Sequence, residues 1–330
     1  MKIIAPLALG LCSFSIHAAL PELNINIDKI TVSGLSSGGY MANQFHLAHS
    51  DWVDGAAILA AGPYYCAQGS ISTALTLCVN KTSDELSLEQ LQKQIQNYQQ
   101  QAKIASTDNL KNSRVWLFHG TLDSKIVEPV TQALYQQYKT WVPEAQIRYV
   151  DDKAMAHLLP TTNFGSACDT SESPFIGNCN YDAAGEFLTF LKTELNPKAT
   201  TLSGKVVTFD QQQLGGKDAS SLADLGYAYV PAQCADKEQC EVHVSFHGCN
   251  QNAEAVGQQF VQHNGLNQWA DTNNLVVLYP QTKSSMMMPL NPQGCWDWWG
   301  YTGEDYATAD GEQIRAVKNM LLSIAQPASK

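Results

Sequence analysis

Beyond its first twenty residues the sequence has no apolar run approaching the ~20 residues that cross a bilayer, so no membrane span is expected there. Basic side chains are scarce: 20 Lys and Arg stand against 31 Asp and Glu, for a formal net charge of −11. With no basic stripe, this balance argues against a nucleic-acid partner, because phosphate recognition draws on clustered cations. There is no CxxC pair and no HExxH, so neither a metal nor a cofactor is expected. Internal repeats and long low-complexity tails are missing as well. Charged residues make up only 15% and hydrophobic residues 44%, which excludes disorder and leaves material for a large core.

What is present begins with an export signal. Lys2 precedes an apolar stretch over residues 3–16, and His17-Ala18-Ala19 supplies small residues for cleavage, so residues 1–18 read as a signal peptide. The mature chain, residues 19–330, is then expected outside the cytoplasm, in the medium or the periplasm. Removing the signal removes Cys12 and leaves eight cysteines, an even number that in an exported chain points to disulfides. Eight cysteines admit many pairings. Proximity favours Cys66–Cys78, Cys168–Cys179 and Cys234–Cys240, which leaves Cys249–Cys295.

Eight short strand-like runs can be picked out at residues 30–33, 56–60, 114–119, 146–150, 205–209, 227–231, 241–247 and 275–280. Helix-like periodicity lies between most of them, at residues 40–50, 127–142, 181–195, 253–273 and 309–324. Alternating strands and helices predict an α/β fold, a mostly parallel sheet of about eight strands covered by helices. Residues 83–105, rich in Gln, Glu and Leu, read as an exposed helix. Residues 195–204 read as a linker.

The sharpest local pattern is Val32-Ser33-Gly34-Leu35-Ser36-Ser37-Gly38-Gly39, a strand entering Gly-x-Ser-x-Gly and then a helix. In a nucleophile elbow the turn is so tight that positions −2 and +2 from the serine must be small. Centring on Ser36 places Gly34 and Gly38 there, whereas centring on Ser37 places Leu35 in the turn. Ser36 is therefore the expected nucleophile, and the backbone N–H of Ser37 an expected oxyanion donor.

A serine hydroxyl needs a histidine base, and that histidine needs a carboxylate. Asp123 follows the strand at residues 114–119, and His157 lies in a small-residue loop after the next strand; together with Ser36 they form the expected triad. Glu128, Asp151 and Asp152 are rivals for the acid and His119 for the base. The strand ending in His247-Gly248-Cys249 is similar to the segment that supplies the second oxyanion N–H in esterases, here the amide of Cys249.

The order of these parts is unusual for an α/β-hydrolase, in which the His-Gly strand precedes the elbow. Only residues 19–33 stand before this elbow, and one βαβ unit takes roughly 30 residues. Placing residues 204–325 ahead of residues 20–195 restores the usual order, which identifies a single circularly permuted domain with its junction near 195–204.

With Tyr279-Pro280-Gln281 and Gly294-Cys295-Trp296-Asp297-Trp298-Trp299, these motifs resemble the polyhydroxybutyrate depolymerases of the single-domain, circularly permuted kind. The resemblance implies a secreted serine esterase, acting as a monomer on a polyester or its oligomers through an acyl-enzyme. It carries the triad roles to Ser36, Asp123 and His157 and the oxyanion roles to Ser37 and Cys249. Trp296, Trp298 and Trp299 are candidate substrate-facing rings, with Tyr64, Tyr65 and Tyr301 behind them. The rival readings are a feruloyl or acetylxylan esterase and a non-catalytic binding protein on a hydrolase scaffold.

Overall fold

The computed structural model describes Leu20, residues 23–80 and residues 86–325. The expected signal peptide and Cys12 lie outside the described residues.

Eleven strands are described: β1 (Asn24–Leu35), β2 (Val53–Leu59), β3 (Arg114–Gly120), β4 (Ile147–Lys153), β5 (Leu159–Thr161), β6 (Ser166–Ala167), β7 (Ile176–Asn178), β8 (Lys205–Asp210), β9 (Leu225–Val230), β10 (Gln239–Phe246) and β11 (Leu275–Tyr279). Eight of them form one sheet in the order β4-β3-β2-β1-β10-β11-β9-β8. The run from β4 to β11 is parallel, and β9 and β8 join it antiparallel. β1 has a strand on each side and helices over it, so residues 30–35 are buried without alternation, as expected of a central parallel strand.

Helix α1 (Ser37–Ala48) packs on β1 and β2 and meets the C-terminal helix Glu312–Ala325. Helices α2 (Ile71–Leu77), α3 (Leu88–Gln100) and α4 (Glu128–Tyr138) follow in the chain; α5 (Ala183–Leu191) covers β2 and β3 and meets the helix Leu266–Thr272. The core contains Trp116, Phe118, Phe187, Phe246 and Tyr279, all nearly or wholly inaccessible.

Three local expectations need correcting. Residues 253–273 form three short helices, because Gly257 and Gly265 take φ of 60° and 87° and end each turn. α3 is not exposed all round, since Leu91, Ile95 and Tyr98 recur at helical spacing and are buried. A second sheet, β5-β7-β6, was not foreseen; its strands are only two or three residues long. Residues 195–204 form no element but are tied down: the N–H groups of Ser203 and Gly204 donate to Asp271, and Asn196 bonds with Asn273.

Four disulfides are formed: Cys66–Cys78, Cys168–Cys179, Cys234–Cys240 and Cys249–Cys295. Among the described residues no helix is long and apolar enough to cross a membrane.

Candidate active site

Ser36 stands where β1 ends and α1 begins, with φ 58° and ψ −122°. A non-glycine residue held there costs of order 1–3 kcal/mol and persists only if its surroundings enforce it. They do. The Ser36 N–H donates to the Leu59 carbonyl at 2.9 Å, and its carbonyl accepts from the Tyr40 N–H at 3.0 Å. A Cβ on Gly34 would lie 2.0 Å from the Gly38 carbonyl oxygen, and one on Gly38 would lie 2.3 Å from that of Phe246. Both glycines are therefore demanded by the close passage of backbone.

The N–H of Ser37 opens α1, where the first turn has no intrahelical acceptor. Ser37 borders the same cavity, and its buried hydroxyl accepts from the Trp296 backbone N–H at 3.4 Å.

Asp123 and His157 sit on two loops bonded to each other. Thr121 N–H donates to the Lys153 carbonyl at 2.7 Å, and Leu122 N–H to that of Met155 at 3.1 Å. Gly120 permits this approach, since a Cβ there would fall 2.2 Å from the Met155 carbonyl oxygen. Across the junction His157 Nδ1 donates to Asp123 Oδ2 at 2.8 Å. Asp123 Oδ1 accepts the N–H groups of Lys125 and Ile126 at 2.8 and 3.0 Å. Burial opposes charge on Asp123, but these bonds and the facing imidazole prevail and hold its pKa below the usual carboxylate value. The His157 carbonyl accepts from the Ser171 hydroxyl, and Ala156 N–H donates to the Cys168 carbonyl, so the Cys168–Cys179 bridge steadies the histidine loop.

Ser36, His157 and the backbone of Gly248 and Cys249 line one cavity of about 570 Å³. Gly248 N–H donates to Gln251 Oε1 at 2.7 Å, and Asn250 N–H to the Gln293 carbonyl at 2.7 Å. Among the described residues the Cys249 N–H between them has no acceptor.

The rival side chains stand elsewhere. Glu128, Asp151 and Asp152 do not border this cavity. His119 is buried and donates through Nε2 to the Ile126 carbonyl at 3.0 Å, bracing the turn that binds Asp123. Of the three tryptophans only Trp298 borders the cavity; Trp296 is wholly buried against Phe246, and Trp299 packs on Trp298 and Tyr301. Trp296 is thus a core residue, next to the Cys249–Cys295 bridge. Tyr64, Tyr65 and Tyr301 are also away from the cavity, and the Tyr64 and Tyr301 hydroxyls donate to the carbonyls of Ala307 and Cys295.

Sequence reasoning missed Tyr40, whose ring stacks on Trp298 at 4.5 Å between centroids and whose hydroxyl donates to the Cys78 carbonyl. Its place four residues after Ser36, one turn along α1, was the available signal. It also missed Leu75, Val79 and Phe175, which complete the apolar wall. Among the described residues no cluster of His, Cys, Asp or Glu could hold a metal.

A mostly parallel sheet with serine, histidine and carboxylate brought to the carboxyl ends of its strands defines a class, the α/β-hydrolase-type serine hydrolases. Comparisons narrow the class. Residues 225–327 match the family model described as Esterase PHB depolymerase. The chain is 41% identical to a poly(3-hydroxybutyrate) depolymerase of Delftia acidovorans over 95% of its own length, and spans 64% of that relative. It is 35% identical to a polyhydroxybutyrate depolymerase of Talaromyces funiculosus, covering 98% of this chain and 97% of that one. Among solved structures, a serine-to-alanine PHB depolymerase complexed with an R3HB trimer superposes with a TM-score of 0.87 at 35% identity, over 93% of this chain and 99% of its own. The PHB depolymerase of Penicillium funiculosum gives 0.86 at the same identity, over 94% and 98%. The chain belongs to the polyhydroxybutyrate depolymerase family.

Proposed function

We propose that this protein is a secreted serine esterase that hydrolyses poly(3-hydroxybutyrate) and its oligomers through an acyl-enzyme, with Ser36, His157 and Asp123 as triad. The observation that carries the reading is the gathering of the strained Ser36 turn, the His157–Asp123 pair and the amides of Ser37 and Cys249 around one cavity. Asp123 fixes the proton of neutral His157 on Nδ1, which leaves Nε2 to take the proton of Ser36 as its oxygen attacks the ester carbonyl. The oxyanion is held by the Ser37 and Cys249 N–H groups, each donor of this kind being worth about 3 kcal/mol of barrier. His157 returns the proton to the leaving alcohol, then activates water to release the hydroxyacid.

The solved relative holding an R3HB trimer supports an ester oligomer as ligand. Exposed apolar side chains favour a polymer: Leu75 lines the cavity, and Met286, Met287, Met288 and Leu290 lie on the segment leading to cavity-lining Gln293. Halo formation on polyhydroxybutyrate, release of acid from its soluble oligomers, and inactivity on a feruloyl ester are expected; preference for the feruloyl ester would overturn the substrate assignment.

Four disulfides and the apolar start of the chain support export to the periplasm or the medium. A mature N-terminus at Ala19 is expected from sequencing the exported protein, and retention of Met1 would contradict it. One eight-stranded main sheet, with β10, β11, β9 and β8 on one side of β1 and β2, β3 and β4 on the other, supports a circular permutation. A gene beginning near residue 204, with residue 325 joined to residue 20, is expected to give active enzyme; an inactive, unfolded product would count against it.

A further inference from the structure

Among the described residues that line the Ser36 cavity, Lys125 is the only Lys, Arg, Asp or Glu. It is exposed, and its ammonium meets no carboxylate among the described residues. On a chain of net charge −11 such a cation is a local exception, and an anion entering this cavity finds it alone. Its backbone is held by the triad carboxylate: Lys125 N–H donates to Asp123 Oδ1 at 2.8 Å, while Asp123 Oδ2 accepts from His157 Nδ1. The lysine therefore stands on the His157 side of the cavity. Gly248 and Cys249 stand on the other, because β3 and β10 flank the central β1 from opposite sides.

Ester polarity decides which end of a substrate meets the lysine. In a 3-hydroxybutyrate oligomer each ester joins the acyl carbon of one unit to the hydroxyl oxygen of the next, so one end is a hydroxyl and the other a carboxyl. When Ser36 attacks, the acyl segment that stays on the serine carries the hydroxyl end. The leaving alcohol carries the carboxyl end, which is ionised at neutral pH. His157 gives its proton to that alcohol, so the leaving segment lies on the base side. The single charge of the oligomer is thereby brought to the side on which Lys125 stands.

We propose that Lys125 is a specificity-determining residue that binds the terminal carboxylate of the leaving segment, so that short free-acid oligomers are favoured over the same chains with a neutral end. This rests on the reading of Ser36 and His157 as the pair that cleaves 3-hydroxybutyrate esters. The flexible four-carbon stem lets the ammonium follow carboxylates on leaving segments of different length. A long polymer, cleaved far from its ends, brings no carboxylate to this site.

The 3-hydroxybutyrate trimer and its methyl ester differ in that charge and share every ester between units. The readout is cleavage of those shared esters, followed by chromatography, as the ratio of kcat/KM for the acid to kcat/KM for the methyl ester. Taken within each variant, the ratio cancels any general loss of activity. Lys125→Met is expected to lower it about fivefold, the upper end for an exposed ion pair, and Lys125→Arg to keep it within about twofold of wild type. Salt at about 1 M, where the screening length is about 3 Å, is expected to lower the wild-type ratio and leave that of Lys125→Met unchanged. A Lys125→Met ratio within twofold of wild type, an equal fall in Lys125→Arg, or the same response to salt with and without the lysine overturns the proposal. Wild-type protein that cleaves neither trimer, or Ser36→Ala that still cleaves the methyl ester, sinks the underlying reading instead.

Discussion

On one side of the cavity, where β3 and β4 end, the loops carrying Asp123 and His157 are joined by backbone: Thr121 to Lys153 and Leu122 to Met155, with Gly120 allowing the approach. On the other side, where β10 ends, residues 247–250 are held chiefly by side chains and a cross-link, His247 and Gln251 on Gly248 and Cys295 on Cys249, with one backbone bond from Asn250 to Gln293. The difference follows from the sheet. The ladder between β3 and β4 runs to Gly120, so the loops leave it already paired. The pairing of β10 with β1 stops at Phe246 and with β11 at Val244, so residues 247–250 have no strand beside them to bond. Rigid placement is reached twice, once through a missing side chain and once through added ones.

The largest expected effect comes from breaking the backbone junction. Gly120→Ala sets a methyl against the Met155 carbonyl, parts the two loops and is expected to lower kcat about 100-fold or more, the scale of a 1 Å misplacement. Steady-state kinetics on protein shown to be folded by circular dichroism checks this; a loss under threefold would mean the junction does not set the triad. Breaking the other side is milder for turnover. Replacing Cys249 and Cys295 together by alanine opens a loop of 46 residues and is expected to cost about 4 kcal/mol of stability in the chain-entropy picture. With His247 and Gln251 still in place, the fall in kcat is expected to be about tenfold, read with denaturant unfolding on the same preparation. Loss of activity with unchanged stability would contradict that division of labour.

Acid sharpens the contrast by a smaller, reversible step. Burial lowers His46, His49 and His243 to about 3 and His247 to about 4, with Lys318 adding to the shift of His49. Below a pH of about 6.5 the unfolded chain takes up protons that the folded chain refuses. The stability owed to each ring is therefore complete above that pH and falls toward the folded pKa, by up to about 1.4 kcal/mol per pH unit. Asp123 has the opposite charge type, and its lowered pKa keeps its contribution until pH falls below the usual carboxylate value. Tm is expected to drop between pH 6.5 and 4.5 while the His157–Asp123 bond persists; a flat Tm over that range would refute the accounting.

The same contrast explains what could be read from the sequence. All eight strands of the main sheet were legible: β1, β2, β3, β10 and β11 as short buried apolar runs between turn residues, and β4, β8 and β9 as short runs holding β-branched or aromatic residues. The elbow was legible because backbone clashes at Gly34 and Gly38 leave only glycine. The cavity wall was not. Leu75, Val79 and Phe175 come from α2, the turn after it and the turn before β7, segments too short to carry periodicity, and they lie beside Cys66–Cys78 and Cys168–Cys179. The tryptophans show the same limit: their place just beyond Cys295 marked three rings, but with Asp297 accepting from the N–H groups of residues 299–302 only Trp298 of the three borders the cavity.

The central claim is that the enzyme acts through residue 36 and not its neighbour. Labelling with a fluorophosphonate, followed by mass spectrometry of the peptide holding residues 34–39, tests it directly. The adduct is expected on Ser36, undiminished in Ser37→Ala and lost in Ser36→Ala. An adduct on Ser37, or labelling that survives Ser36→Ala, would contradict the account.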